Sequence, residues 1–292
     1  MKPRDIILAI AVAVTWGFGF VLSRFALDEL SPALLNALRF SLAAIPCLFV
    51  RRPDVPWPLL IAISMTLFFG QFLPHNYGIA HGVPVGLTSV IVQSQALFTV
   101  AFAVIVFAEV PTRRQIVGIG VASCGLVMIC FTVGYDFSVG AFAVLMIAPV
   151  CFAIGNLLLR RASQVPIFDL FAWLSLISAP PLFAVAFAGD GLGPTWSAMS
   201  HMSLTVFGCV AALGVLSTSV AYGIWGRLLR DYTAAQVVPF ALLVPFIAAA
   251  SGSIVFGERF GPLRLAGMVI VVLGIAIMLL SPRRSRVVPK LA

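Results

Sequence analysis

Ten stretches of about twenty mostly apolar residues follow one another along this chain, joined by links of only a few residues. They cover residues 6–23, 32–50, 57–78, 83–107, 116–133, 140–159, 168–189, 204–228, 234–256 and 265–281. Each is long enough to cross a bilayer as a helix, and a helix satisfies its own backbone there. Composition agrees: 61% of the 292 residues are apolar and 10% are charged, against about a quarter charged in a soluble domain. One soluble core cannot hide that much apolar surface. The expectation is an all-α membrane protein with ten transmembrane helices, its partner the lipid bilayer. Lys2 and Arg4 stand before the first stretch as in a signal peptide, but no small-residue cleavage site follows, so it reads as the first span. The third span carries Gly70, Gln71, Pro74, His75 and Asn76 and is expected to be broken or partly re-entrant.

Charge orients the spans. Lys2, Arg4, Arg51, Arg52, Arg113, Arg114, Arg160, Arg161, Arg227, Arg230, Arg283, Arg284, Arg286 and Lys290 fall on the side of the N-terminus. Only Arg24, Arg259 and Arg264 fall opposite, and Arg39 lies inside a span. The positive-inside rule then puts both termini in the cytoplasm. The net charge of +8 is accounted for by these loops and implies no nucleic acid. The five cysteines all lie in apolar stretches without metal-like pairing and read as small buried side chains.

The chain also repeats itself. FAEVPTRRQIVGIGVASCG at 107–125 matches FGERFGPLRLAGMVIVVLG at 256–274, pairing Glu109 with Glu258, Gly118 with Gly267 and Gly125 with Gly274. YGI at 77–79 recurs at 222–224, and SPALLNALRFSLAAIP at 31–46 matches VPIFDLFAWLSLISAP at 165–180. Gly19 and Arg24 fall on Gly155 and Arg160. The offsets grow along the chain, as one longer link near 190–200 requires. Each half, 1–137 and 138–292, holds five spans. An odd number makes the second half enter from the opposite face, the inverted-repeat plan of many secondary transporters, with the substrate site between the halves.

Trp16 followed by Gly19, the segment LRFSLAAI at 38–45, and the Glu109 and Glu258 turns with their glycine-rich following helices resemble the drug/metabolite transporter superfamily, of the type built from two EamA-like repeats. The resemblance spans essentially the whole chain. It implies a carrier of small metabolites in a bacterial-type inner (plasma) membrane, with the exporters of aromatic and other neutral amino acids as the nearest group and export of drugs or other metabolites, with proton coupling, as the alternative.

At about 1.5 Å of rise per residue, Trp16, Gln93, Gln95, Ser217 and Pro245 come out near the midplane. The candidate substrate-binding residues are Trp16, Gln71, Gln93, Gln95, Ser217 and Thr218. His75 and Tyr77 toward the outer mouth, with Asn156 and Tyr222 toward the inner one, are the candidate gates. Gln93 and Gln95 are two apart and point to different sides of a regular helix, so one is expected to face the cavity and the other to bridge helices. Ser217, Thr218 and Ser219 are the kind of hydroxyls that bond their own backbone. Pro149, Pro239 and Pro245 free the carbonyls of Leu145, Ala235 and Ala241. Arg39, the one charge well inside a span, is a functional candidate that could hold a substrate carboxylate, but it is read as a structural tie, because the second span is not expected to line the cavity. Gly118 with Gly125 and Gly267 with Gly274 each mark one helix face, which makes the fifth and tenth spans scaffold helices or the contacts of a homodimer.

No Asp or Glu lies in the middle third of any span, so intramembrane proton relays are missing. That favours uncoupled movement of neutral or zwitterionic amino acids. With only His75, His81 and His201 and no intramembrane acid pair, no catalytic constellation, metal site or cofactor is expected. No Walker motif is present, so ATP is not hydrolysed by that route.

Overall fold

The computed structural model describes residues 1–132, 137–162 and 165–279. The basic tail from Arg283 to Lys290 and the expected span ends at 133 and 281 lie outside the described residues. No strand occurs among the described residues. The body is made of α1 (Pro3–Ala26), α2 (Pro32–Leu48), α3 (Trp57–Ala80), α4 (Val85–Phe107), α5 (Arg113–Cys130), α6 (Val139–Ala162), α7 (Ile167–Asp190), α8 (Leu204–Asp231), α9 (Val238–Phe256) and α10 (Pro262–Met278). Among the described residues, eight helices are long and apolar enough to cross a membrane, while α2 and α10 are apolar but shorter. A further helix, Leu192–Ser200, sits in the one long link.

Local chemistry sets the helix starts. Ser31 accepts the N–H of Leu34 with Pro32 in the first turn of α2, Ser203 accepts that of Val206 at α8, and Thr112 with Gln115 forms a capping box at α5. Each satisfies backbone donors that a helix start leaves open. The expected break in α3 is absent. The helix runs through Pro74 to Ala80, and a π turn at Met65–Phe69 absorbs the irregularity. α8 carries a longer π stretch at Ala212–Val220. There Thr218 and Ser219 bond the carbonyls five residues back, Leu213 and Gly214.

The links gather on two faces. On one, Asp5 meets Arg227 and Tyr232, and Arg160 pairs with Glu109 at 2.7 Å; this face carries the N-terminus. On the opposite face Glu29 accepts the N–H of Ser203, Arg264 holds Thr132, and Glu258 meets the start of α4. The packing has a pattern: α1 lies on α9 as α4 lies on α6, while α2 pairs with α7, α4 with α9, and α5 with α10. Each of those pairs maps onto itself or another when α1–α5 are matched with α6–α10.

α5 and α10 pack through the glycines singled out in the sequence. A Cβ on Gly118 would lie 2.6 Å from the Gly274 carbonyl, and one on Gly125 2.7 Å from that of Gly267. The two helices therefore run antiparallel at close backbone approach, and these glycine faces are used inside the chain. The turns after α4 and α9 match as well. Gly257 ends α9 in the left-handed region, and Ala108 ends α4 there at φ 50° despite its Cβ.

Candidate functional site

A cavity of about 380 Å³ lies between the two halves, lined from α1, α2, α3, α4, α6, α7, α8 and α9. Its reach along the helices is uneven. It extends to Ile167 and Val238, the first residues of α7 and α9, and to Leu229 near the end of α8. Toward the opposite face it stops at Ser23, His75 and Ser89, short of the helix ends. It thus runs to the face that carries the N-terminus. Beyond its blind end, Phe25 packs on Phe256 at 5.0 Å, and Gly86 lies so close to α9 that a Cβ would meet the Ala249 Cα at 2.7 Å.

Glu258 completes that closure. Pro84 precedes α4 and has no side-chain acceptor to cap it. The Glu258 carboxylate takes the role, accepting the N–H of Val85 and that of Gly86 at 3.1 Å. Burial pushes the Glu258 carboxyl above the usual carboxylate range, and the Gly86 and Val85 amides and Arg24 offset part of that rise. Its repeat partner Glu109 does something else: it pairs with Arg160, and both side chains are about half exposed.

Most of the expected site residues meet in the cavity. Trp16 donates from Nε1 to the Ser217 carbonyl at 3.1 Å, with its ring 5.1 Å from both Tyr222 and Trp225. Gln93 donates to the carbonyl of Ala241 at 2.9 Å. That is the carbonyl Pro245 frees, so a side chain of the protein already takes it. Gln95 accepts from Asn156 at 2.8 Å. Gln71 and His75 line the wall from α3, one helix turn apart, and His75 stacks between Phe20 at 4.8 Å and Phe72 at 5.8 Å.

Four expectations change. Gln93 and Gln95 both reach the wall, because α4 breaks at Ser94, whose hydroxyl bonds back to Ile91. Thr218 lies behind the wall rather than on it, accepting from Arg39 Nε at 3.0 Å and donating to Leu213. Tyr77 is outside the cavity, stacked on His81 at 3.8 Å, although its repeat partner Tyr222 is inside. Arg39, read as a tie outside the cavity, lines it from α2. The reason is common to all four: local breaks and helix rotation decide which way a side chain faces.

Two features had no forecast. Trp225 follows Tyr222 by three residues and shares its face, a spacing that could have flagged it. Asn76 donates to Asn36 at 2.9 Å, fully buried, tying α3 to α2 beneath the cavity. No periodic signal marks such a pair.

Packed apolar helices in two matching sets, with a polar-studded cavity between them, define a multi-pass membrane protein of the transporter class. The chain belongs to the EamA-like transporter family, which matches residues 4–131 and again residues 139–280. The resemblance to the drug/metabolite transporters drawn from the sequence is borne out. Two similar proteins are each named "Probable amino-acid metabolite efflux pump". That of Salmonella typhimurium is 34% identical over 284 residues and that of Escherichia coli 33%, each alignment covering 95% of this chain and 95% of the relative. A "Probable terminal-alkyne amino-acid exporter" of Streptantibioticus cattleyicolor is 28% identical over 98% of this chain and 96% of its own. A solved crystal structure shares the fold with a TM-score of 0.66, at 16% identity over 95% of this chain and 96% of that chain.

Proposed function

We propose that this protein exports neutral amino acids or closely related metabolites by alternating access, through the cavity between two inverted repeats, residues 1–137 and 138–292. Ten spans, both termini in the cytoplasm and an inner-membrane location complete the reading. Trp16, Gln71, Gln93, Gln95 and Ser217 contact substrate, Thr218 supports the wall from behind, and Asn156, His75 and Tyr222 border the passage. Tyr77 is a gate in this reading only when the opposite face opens. A homodimer, if formed, uses the outward faces of α5 and α10, where Ile116, Val117, Leu265 and Leu273 are exposed.

One observation carries the reading. The cavity reaches the N-terminal face and is shut at the other, and the contacts that shut it have repeat partners that stand apart. α4 and α9 meet through residues 85–93 and 243–256. The same contact made from the other half would join residues 94–107 to 234–242, with Glu109 accepting the backbone N–H groups at the start of α9. Exchange of one arrangement for the other closes the N-terminal face and opens the opposite one, the rocking expected of repeats around a fixed site. The names of the relatives support amino-acid export as the direction and substrate class.

The absence of any Asp or Glu among the described residues that line the cavity supports movement without proton coupling. Purified protein in liposomes tests the reading directly. Saturable flux of labelled phenylalanine, methionine or threonine, unchanged by an imposed proton gradient, is the expected result. Vesicles that move a drug or another metabolite but no amino acid would discard the substrate class, and flux that collapses with the gradient would discard uncoupled movement.

The closure itself is testable. Glu258→Ala leaves the Val85 and Gly86 amides without their cap, a loss of about 1 kcal/mol, or about fivefold in the open-to-closed ratio. A cysteine at Ser23, in a background free of native cysteines, is expected to react about fivefold faster with an impermeant thiol reagent added from the opposite face. An unchanged or slower rate refutes the role. The pH dependence has a definite sign. Glu258 holds its proton more tightly when closed than when released to water, so the closure is strongest at low pH. It weakens as pH rises from the ordinary carboxylate value through the raised one.

A further inference from the structure

Inside a membrane protein an arginine is expensive unless paired, and its usual partner is a carboxylate. Arg39 is 4% exposed and lines the cavity, where no Asp or Glu among the described residues joins it. Three contacts hold it, the longest to the Phe40 ring at 5.6 Å. Its Nε donates to the Thr218 hydroxyl at 3.0 Å, and its guanidinium carbon stands 4.2 Å from the centre of the Phe72 ring. The terminal nitrogens make no hydrogen bond to the described residues. A guanidinium held at Nε and stacked on one face presents its remaining edge as a rigid fork, and that fork matches a carboxylate with two parallel bonds.

The surroundings point the same way. Gln71 and His75 flank Phe72 on α3, each 4% exposed and each on the cavity wall. Gln71 Oε1 and both ring nitrogens of His75 have no partner among the described residues. Buried polar atoms left open beside a lone buried cation are unusual in a finished core. They suit a polar ligand that arrives from outside. The rest of the wall near Trp16, Tyr222 and Trp225 is aromatic.

We propose that Arg39 binds the carboxylate of the transported solute, so that the cavity selects carboxylates over the same molecules as amides or amines. This deepens the amino-acid reading above and rests on it for the identity of the solute, though not for the anion site. The ammonium group of an amino acid then finds the open acceptor Gln71 Oε1 and the aromatic faces rather than an acid, and a simple amine, with no anion to offer, is refused.

The test is a ligand series on purified protein, followed by the fluorescence of its tryptophans, two of which, Trp16 and Trp225, line the cavity. Phenylalanine, phenylalaninamide, phenethylamine and 3-phenylpropionate share one ring and differ only in charge groups. The amide and the amine are expected to bind about 30-fold or more weaker than phenylalanine, because they leave the buried cation unpaired. Equal binding of phenylalanine and its amide overturns the anion site while leaving an amino-acid carrier standing. Binding of 3-phenylpropionate without phenylalanine keeps the anion site and removes the amino-acid reading. Binding of none of the four, shown against folded protein, removes both. In Arg39→Gln the preference for the acid over the amide should disappear, and in Arg39→Lys it should shrink but persist. A preference unchanged in Arg39→Gln refutes the assignment. Should that variant fail to fold, the series on the unaltered protein decides the matter alone.

Discussion

Leucine in place of Gly274 is expected to leave little folded protein to purify. A Cβ added at this position would run into the backbone nitrogen of Ala122 and lie 2.7 Å from the carbonyl of Gly118. These are main-chain atoms of α5, so no side-chain rotation relieves the clash. The two helices must separate along their most extensive contact. Overpacking of this kind costs about 1–3 kcal/mol when neighbours can give, and here they cannot. In lipid the apolar surface exposed by separation is not driven back together, since packing itself supplies the association. The measurement is the yield of monodisperse protein and its thermal unfolding in detergent. Gly120→Leu is the control, two residues from Gly118 on α5 with nothing within 4 Å of an added Cβ. It should behave as the native protein. A Gly274→Leu protein with native yield and melting would show that α5 and α10 do not meet as described.

Phenylalanine at Gly19 is expected to have the converse effect: a folded protein that carries nothing. Gly19 lines the cavity, and its added Cβ would sit 3.5 Å from the Ser217 hydroxyl and 3.6 Å from Leu213, ordinary contact distances. Gly19→Ala is therefore tolerated, with flux near native. A phenyl ring continues from that Cβ into a space of about 380 Å³, at the small end for a ligand pocket. Flux should fall by about tenfold or more, with melting unchanged. Native flux in Gly19→Phe would place the transport path elsewhere. The two glycines look alike in the sequence, each inside an apolar helix, and their substitutions separate fold from function.

Much of the architecture was legible because lipid imposes few solutions. A span must be apolar and about twenty residues long, so the helices from Pro3–Ala26 to Pro262–Met278 lie close to the stretches read from hydropathy. The glycine pairs marked α5 and α10 as packing helices, and the structure uses those faces. The polar residues of the midplane pointed to the cavity in most cases, since a polar group in hydrocarbon needs a reason to be there.

What a single sequence determined is therefore the order of apolar helices, the family, and a short set of polar candidates. The facing of those candidates was decided only by the tertiary structure. Ser94 breaks α4 and lets both Gln93 and Gln95 reach the cavity. The π stretch of α8 puts Ser217 on the cavity and Thr218 behind it. Arg39 reaches the cavity because α2 packs between α7 and α8. Hydropathy measures how much of a helix avoids water. It carries no record of how far each helix rotates about its axis, and that rotation, set by close packing against neighbours, chooses the residues that meet the substrate.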